Sequence, residues 1–501
     1  MDAIIDSINS VLWATPGVFV ILAIGLFFSV KTKFLQMSHF RDMFRLMKES
    51  HSSDEGVSSL QSLLISVGSR VGTGNIAGVA TAIALGGPGS VFWMWVAAFL
   101  GSANAFVEST LSQIFKVEQD GQYRGGPAFY IEKGLGSKVF AVIFAIAAIV
   151  ALGALLPQIQ SSTAMASLNA AFGGNVYLID AIYAALFGCV IFGGIKRIAK
   201  TAELIVPFMA LGYIIIVAFI LLVNYSVIPG MLEMIVSSAI GTDSLMGGMV
   251  GAAVTLGVKR GIYSNEAGIG TAAHHAGAAE VSHPVKQGIM QALSVLVDTI
   301  ICTATAILIL SAGTYNIYAS DNTLLVENLP GVDMGAGYAQ AAVDMMMPGF
   351  GSIFIALSVL FFTFTSLIAF FYIAETNLAY LAKGKFFKVG DAILKIFMII
   401  TTFYGGTITA SKAWAIGDVG IGLLMWINFT ALVLLYKPTI AALRDYEQQE
   451  AMGLDPVFIP SKLGIKNADY WDKRTAKVPE QSTKATNKFG NSIKSNAIDL
   501  S

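Results

Sequence analysis

The chain reads as an all-α polytopic membrane protein of about eleven transmembrane helices, and three observations carry that reading. Of its 501 residues, 55% are hydrophobic and only 13% charged, where soluble domains carry roughly 25% charged residues. The apolar residues fall into long runs, such as 139–155, 204–223, 292–309 and 350–362, and about 20 such residues cross a bilayer. Two of the spans are interrupted by glycine-rich polar segments, which lipid tolerates only where the backbone lines a protein cavity.

The first apolar run predicts a helix over 12–30. The N-terminus carries neither the basic start nor the small-residue cleavage site of a signal peptide, so this helix is expected to be retained. An amphipathic stretch within 39–51 follows and is expected to lie along the inner membrane surface. Residues 1–57 therefore form an N-terminal helix and a linker. Helices at 58–84, 89–114, 138–167, 177–193 and 202–223 make a first five-helix set within 58–224. Helices at 246–272, 285–311, 350–382, 389–408 and 414–436 make a second set within 225–437. Residues 438–501 are polar and rich in Lys, Ser and Asn, and predict a cytoplasmic tail that loses order towards its end.

Basic residues orient the spans. Lys31, Lys33, Arg41, Arg45 and Lys48 follow the first helix, and alternate loops carry Lys116, Arg124 and Lys133, then Lys196, Arg197 and Lys200, then Lys383, Lys385 and Lys388. The intervening loops 168–176, 224–245 and 312–349 contain no Lys or Arg. By the positive-inside rule the N-terminus lies outside and the C-terminus in the cytoplasm of a bacterial inner membrane, as an odd number of spans requires. A net charge of −1 gives nucleic-acid binding no electrostatic support. Cys189 and Cys302 lie in apolar runs and read as small buried side chains, with no disulfide implied.

The segment 58–84 reads SSLQSLLISVGSRVGTGNIAGVATAIA, with Gly72-Thr73-Gly74-Asn75 at its centre. Glycine is about 1 kcal/mol worse than alanine in a helix, so this span should break there. Freed N–H groups at a break hold an anion, and freed carbonyls hold a cation or an ammonium group. The segment 246–280 starts apolar, breaks at 257–261 and resumes as a Gly/Ala-rich helix. Each break falls in the first helix of a five-helix set, and the two helices run in opposite directions. Paired interruptions of this kind point to a midplane site for a small zwitterion in an inverted-repeat transporter. Exposed carbonyls at Thr255, Leu256 and Gly257 would accept the ammonium group.

VGTGNIAGVATAIALGGPGSVFWMW, GGPAFYIEKGLG and GVKRGIYSNEAGIGTAAHHAGAA closely resemble the alanine or glycine:cation symporter family, over roughly residues 10–450. That resemblance implies a leucine-transporter-like fold of five-plus-five inverted repeats, with one extra N-terminal helix. It implies uptake of a small neutral amino acid with sodium, no cofactor, and sodium as a co-transported ligand. It places the amides of Thr73 and Gly74 on the substrate carboxylate and Asn75 beside the substrate. It also places Gln160 near the substrate, although Gln158 is close enough in sequence that the choice between them stays open. Phe370 stands where many members have tryptophan. For sodium it implies Thr365 and Ser366 with the carbonyls of Gly68 and Val71. The alternative for the hydroxyls is bonding back to their own helix.

Lys259, Arg260 and Glu266 are expected near the inner end of their helix, paired with one another or with neighbouring loops. Arg70 needs a partner, since an unpaired charge at the bilayer centre costs at least ~2.5–3.5 kcal/mol. Asp298, Glu108 and Glu375 are the available acids. His274, His275 and His283 lack a metal-ligand pattern and are expected as solvated residues of the inner face. No Gly-x-x-x-x-Gly-Lys loop is present to drive transport by nucleotide hydrolysis, and no nucleophile–base pair suggests an enzyme. Rival readings are a proton-coupled or uncoupled carrier and an ion channel, for which no repeated filter loop is visible.

Overall fold

Apolar helices dominate because the sequence is apolar for long stretches and stops at glycine, proline and capping residues. The structure, a computed structural model, describes residues 2–49, 53, 55–242, 249–319 and 323–477. The start of the second broken segment at 246–248, and the part of the tail expected to lose order, 478–501, lie outside the described residues.

The chain begins with α1 (Asp2–Leu12) and α2 (Thr15–Lys31), bent by 43° at residues 13–14. The amphipathic linker forms α3 (Leu35–Ser38) and α4 (Phe40–Leu46). Phe40 and Phe44 are exposed and Met43 and Leu46 buried, so α4 keeps two apolar faces, one to the protein and one outward.

The first broken helix starts at α5 (Ser59–Arg70). Ser58 and Gln61 form a reciprocal capping box at its start. After Arg70 the backbone leaves the α-helix, passes through a π-helical turn at Gly74–Gly78, and resumes as α6 (Val79–Gly86). Then come α7 (Gly89–Ile114), a hairpin of β1 (Val117–Gln119) and β2 (Gln122–Arg124), and α8 (Pro127–Leu135). Helix α9 (Lys138–Val150) continues through a π-helical turn at Ala151–Leu155 into α10 (Leu156–Phe172). Next are α11 (Val176–Ile191), α12 (Gly194–Val223) and α13 (Ile228–Ile240).

The second broken helix is α14 (Val250–Asn265) followed by α15 (Thr271–Gly277). After it come α16 (Pro284–Ala312), a hairpin of β3 (Asn316–Tyr318) and β4 (Leu324–Glu327), and α17 (Ala336–Met346). The chain closes with α18 (Gly351–Leu381), α19 (Gly384–Thr407), α20 (Ala410–Ala451) and α21 (Asp469–Lys477). Each of the eleven expected spans has a helical counterpart. Among the described residues, six helices are long and apolar enough to cross a membrane unbroken, and the bent α1–α2 pair makes a seventh. The two broken helices sit five spans apart.

One expectation needs correction. The second span does not break at 257–261: α14 runs through Thr255, Leu256 and Gly257 and ends at Asn265, so the break lies at 266–270. Gly257 and Gly261 serve packing instead. A Cβ on Gly257 would stand 2.6 Å from the Trp93 Cβ, and one on Gly261 3.2 Å from the Ala97 Cβ, both on α7. Small residues let helices approach this closely in membranes. The first part of the segment expected as a tail is helical and docked. Helix α20 continues to Ala451, and α21 returns to the body, where Trp471 is only 1% exposed. It packs beside Phe458, and its Nε1 donates to the Gln113 carbonyl at 2.8 Å.

Candidate functional site

The first break is held by side chains from three other helices. Gly72 donates its backbone N–H to Asn75 Oδ1 at 2.9 Å, and Thr73 donates its own to Gln160 Oε1 at 3.2 Å. Gln160 belongs to α10, one turn beyond the π-helical turn. Gln158 bonds its own helix at the Ala154 carbonyl, 2.9 Å away, so geometry selects Gln160. Asn75 Nδ2 donates to Asp298 Oδ1 at 2.7 Å on α16, with Cys302 Sγ at 3.3 Å. A Cβ on Gly74 would stand 2.8 Å from the Ser264 Cα, so the first break touches the last turn of α14. Only glycine permits that approach. Among the described residues, the buried Thr73 and Tyr263 hydroxyls find no hydrogen-bond partner.

The proposed ion ligands gather beside it. Ser366 Oγ donates to the Ser69 carbonyl at 2.9 Å and lies 3.2 Å from the Gly68 carbonyl. Thr365 Oγ1 bonds back to the Phe361 and Phe362 carbonyls at 3.1 and 3.0 Å. A Cβ on Gly68 would lie 3.2 Å from the Thr365 Cβ, so α5 and α18 touch at these residues. Val71, at the end of α5, has ψ of 86°, which turns its carbonyl away from the helical direction. Phe370 is buried one turn along α18 from Ser366, on the same face.

The second break is built differently. Glu266 takes the left-handed conformation (φ 51°), and Gly268 and Gly270 follow with φ of 88° and 94°. Glu108 Oε2 on α7 accepts the Gly270 N–H at 3.0 Å. Asn428 on α20 donates both to Glu108 Oε2 at 3.0 Å and to the Gly268 carbonyl at 2.9 Å. Ser69 donates to Glu266 Oε2 at 2.8 Å, which ties the two breaks together. The N–H of Ala267 goes to Asn265 Oδ1 at 2.9 Å, so the last-turn carbonyls of α14 lose their usual continuation. Thr255, Leu256 and Gly257 stand two or more turns away inside the continuous helix and expose no broken backbone.

The charged residues pair otherwise than expected. Lys259 and Arg260 both reach Asp418 on α20, with Nζ–Oδ2 at 2.7 Å and two guanidinium contacts at 2.9 and 3.0 Å. They lie on the α14 side of the break, about two turns before it, not at its far end. Arg260 also stacks over Trp414 at 4.1 Å, and Trp414 contacts Tyr263 with ring centroids 4.7 Å apart. Glu266 joins neither cation. Arg70 pairs with none of its three candidate acids: its Nη1 donates to the Gln291 carbonyl at 3.1 Å and to Ser294. Glu375 pairs with Arg124 at 3.2 Å.

The three histidines are fully buried. His274 bridges the Gly270 carbonyl at 2.7 Å and Asn377 at 2.8 Å. His275 faces Ser66 at 3.1 Å, and His283 caps α16 through the Val285 N–H at 3.2 Å. They are structural struts of the region after the second break.

Residues not expected from sequence to line the breaks complete the region: Ser264, Asp298 and Cys302 around Asn75, Glu108 and Asn428 around the second break, and Asp418 with Trp414 beside Arg260. Asp298 and Glu108 were visible as buried-span acids. The polarity of Asn428 inside an apolar helix was the remaining signal.

The sequence is similar to known proteins. Residues 1–460 match the sodium:alanine symporter family. The chain is 54% identical to a putative sodium/proton-dependent alanine carrier protein of Bacillus subtilis, over 94% of this chain and 98% of that protein. It is 47% identical to the sodium/proton-dependent alanine carrier protein of Bacillus sp. strain PS3, over 88% of this chain and 100% of that protein. A sodium/alanine symporter of Methanococcus maripaludis is 31% identical, over 89% of this chain and 97% of that protein. With its two broken helices and nearly full-length match, this chain belongs to the sodium:alanine symporter family.

Proposed function

We propose that this protein imports alanine, or a similarly small neutral amino acid such as glycine, together with sodium by alternating access. The observation that carries the reading is the first break, where backbone N–H groups and the unpartnered Thr73 hydroxyl meet Gln160 beside the last turn of α14. The substrate carboxylate binds at Thr73 and Gly74, with Asn75 and Gln160 shaping the pocket and Phe370 closing one side. The ammonium group binds at the last-turn carbonyls of α14 near Ser264, in place of the carbonyls of 255–257, because helix C-termini carry partial negative charge. Sodium binds between α5 and α18, where Ser366 and Thr365 face the Gly68 and Ser69 carbonyls and the Val71 carbonyl is turned out of the helix. Hard cations favour such oxygen donors.

The chain is a carrier with its N-terminus outside and its C-terminus in the cytoplasm. Segments expected on one side meet one another, with Lys286 bonded to Glu49 at 2.7 Å and to Asp455 at 2.6 Å, and the positive-inside rule makes that side the cytoplasm. The Lys259–Asp418–Arg260 cluster then covers the outer path. Transport is tested with purified protein in liposomes, varying sodium, proton and electrical gradients separately. Saturable alanine uptake that requires sodium at constant potential is the expected result. Uptake indifferent to sodium would replace this reading with a proton-coupled or uncoupled carrier. Single cysteines at position 197 should resist an impermeant thiol reagent added outside, and labelling there would invert the orientation.

A further inference from the structure

The candidate site lies between α5 and α18, where Ser366 meets the Gly68 and Ser69 carbonyls. From there towards the basic loops, two groups of segments face each other. One is built on α5. Ser62 donates to the His275 carbonyl at 2.8 Å, Ser66 faces the His275 ring at 3.1 Å, and the Val57 N–H goes to the Ala278 carbonyl at 3.0 Å. The other is built on α18. Arg124 pairs with Glu375 at 3.2 Å and Gln119 donates to the Ala379 carbonyl at 2.9 Å, so the β1–β2 hairpin is fastened to that helix. Across the seam the His275 ring stacks on Tyr372 with centroids 5.9 Å apart, and His274 meets Asn377 at 2.8 Å. A path out on this side requires α15 and α18 to part.

Residues 455–474 span that seam. On the hairpin side Tyr470 packs on Tyr123 with ring centroids 5.1 Å apart. Asp469 binds the Lys133 ammonium at 2.6 Å, and Asn467 donates to the Lys133 carbonyl at 2.9 Å. On the α15 side Arg474 reaches Glu280 at 2.5 Å and the Val281 carbonyl at 2.9 Å, and the Phe458 N–H goes to the Ser282 carbonyl at 3.2 Å. Trp471 fills the middle, with the Phe458 and Tyr470 ring centroids each 5.3 Å away. Lys116 sets its ammonium among the Tyr123, Tyr470 and Trp471 rings and donates to the Ala279 carbonyl at 2.9 Å. The strength of this contact lies in its centre, because Trp471 and Phe458 are at most 1% exposed and buried aromatics dominate such interfaces. The rim pairs contribute less, since Asp469 and Arg474 keep 60% and 38% of their side chains in water.

We propose that residues 455–474 are a latch. Docked, they hold the end of α15 against the hairpin and α8 and keep the inner path shut; they leave one side of the seam before the amino acid departs. The proposal rests on the transport reading above and adds to it a control on the cytoplasmic mouth. A contact made only in the closed state favours that state by its differential free energy. Weakening the latch therefore opens the inner path more often, and fastening it arrests the cycle after binding.

The test uses the full chain with Cys189→Ser and Cys302→Ala, carrying Tyr372→Cys at the seam as its single thiol, in inside-out vesicles. An impermeant maleimide should label this cysteine slowly while the latch is intact. Adding Trp471→Ala and Arg474→Ala should speed labelling by about tenfold, and equal rates would overturn the proposal. A second measurement leaves Trp471 and Tyr372 in place. Lys133→Cys is paired with Asp469→Cys, and Glu280→Cys with Arg474→Cys, and both pairs are bridged by a reducible bifunctional thiol reagent. Bridging should cut sodium-driven alanine uptake by about tenfold or more while alanine binding persists, and reduction should restore uptake. Uptake unchanged by bridging would overturn the latch, and so would loss of alanine binding together with uptake. A chain that neither binds nor takes up alanine in sodium before bridging overturns the transport reading instead.

Discussion

The two breaks use the same device from opposite materials. At the first, local chemistry breaks the helix: two glycines, a threonine and an asparagine follow Arg70, and Asn75 and Gln160 accept two of the freed N–H groups. At the second, a left-handed glutamate and two left-handed glycines turn the chain, and Glu108 and Asn428 seize the freed backbone. Among the described residues the first break leaves the Thr73 hydroxyl without a partner, and the second is stitched to α7 and α20. A site that must bind and release needs the first kind. The second kind holds the chain in one shape.

Substitutions can break this contrast, and the largest effect belongs to Gly74→Leu. Its side chain would enter Ser264 and block the amides, so uptake should vanish while the protein still reaches the membrane. Normal uptake would show that the first break is not the substrate site.

Glu108→Ala comes next. It leaves the Gly270 N–H and the Asn428 amide without their acceptor, and each unsatisfied buried group costs about 1–3 kcal/mol. A lower melting temperature in detergent is expected, with Glu108→Gln losing less. Equal melting temperatures for Glu108→Ala and wild type would mean the second break is not stitched.

The ion ligands follow. Thr365→Val with Ser366→Ala should raise the sodium concentration for half-maximal uptake on the order of tenfold, and saturating sodium should restore part of the rate. An unchanged sodium titration would remove these hydroxyls from the ion site.

A smaller effect concerns the docked tail. Lys116, just past α7, is fully buried, 4.4 Å from the Tyr470 ring centroid and 2.9 Å from the Ala279 carbonyl. Burial pushes its ammonium down to about 7, against the pull of the Glu280 carboxylate. With α21 undocked, Lys116 regains solvent and binds its proton up to about pH 10.4. Between those values the undocked state holds the extra proton, so docking strengthens as pH rises from 7 to 9. Proteolysis of the tail should slow over that interval in wild type, and the slope should disappear in Lys116→Met.

The smallest expected effect is that of Thr255→Val, inside the unbroken α14. Uptake should stay within about twofold of wild type. A large loss would return the ammonium site to residues 255–257.

Much of this was legible because its causes are local. Apolar length marks a span, and a run of breakers such as Gly72 to Asn75 ends a helix wherever it sits. The wrong position of the second break has a physical reason too. Gly257 and Gly261 resemble breakers, yet α7 needs their missing side chains, and packing overrode their weak helix propensity. Glu266 resembles an ordinary helical residue and became the turn because Ser69 receives its side chain. Lys259 and Arg260 met Asp418, more than 150 residues away in the chain, a partner that no local pattern names.

The sequence by itself determined the class of molecule, its long apolar helices and the first break. These follow from hydropathy and backbone propensity, which act over one or two turns. Only the tertiary structure decided which glutamine faces the break, where the second helix turns, that the histidines are buried, that the tail folds back, and that Asp298 is wired to Asn75. Each of those depends on which helix lies alongside, and in a membrane that choice is made by close packing and by the satisfaction of buried polar groups. Both are properties of pairs of distant segments, so neither is written in a single stretch of chain.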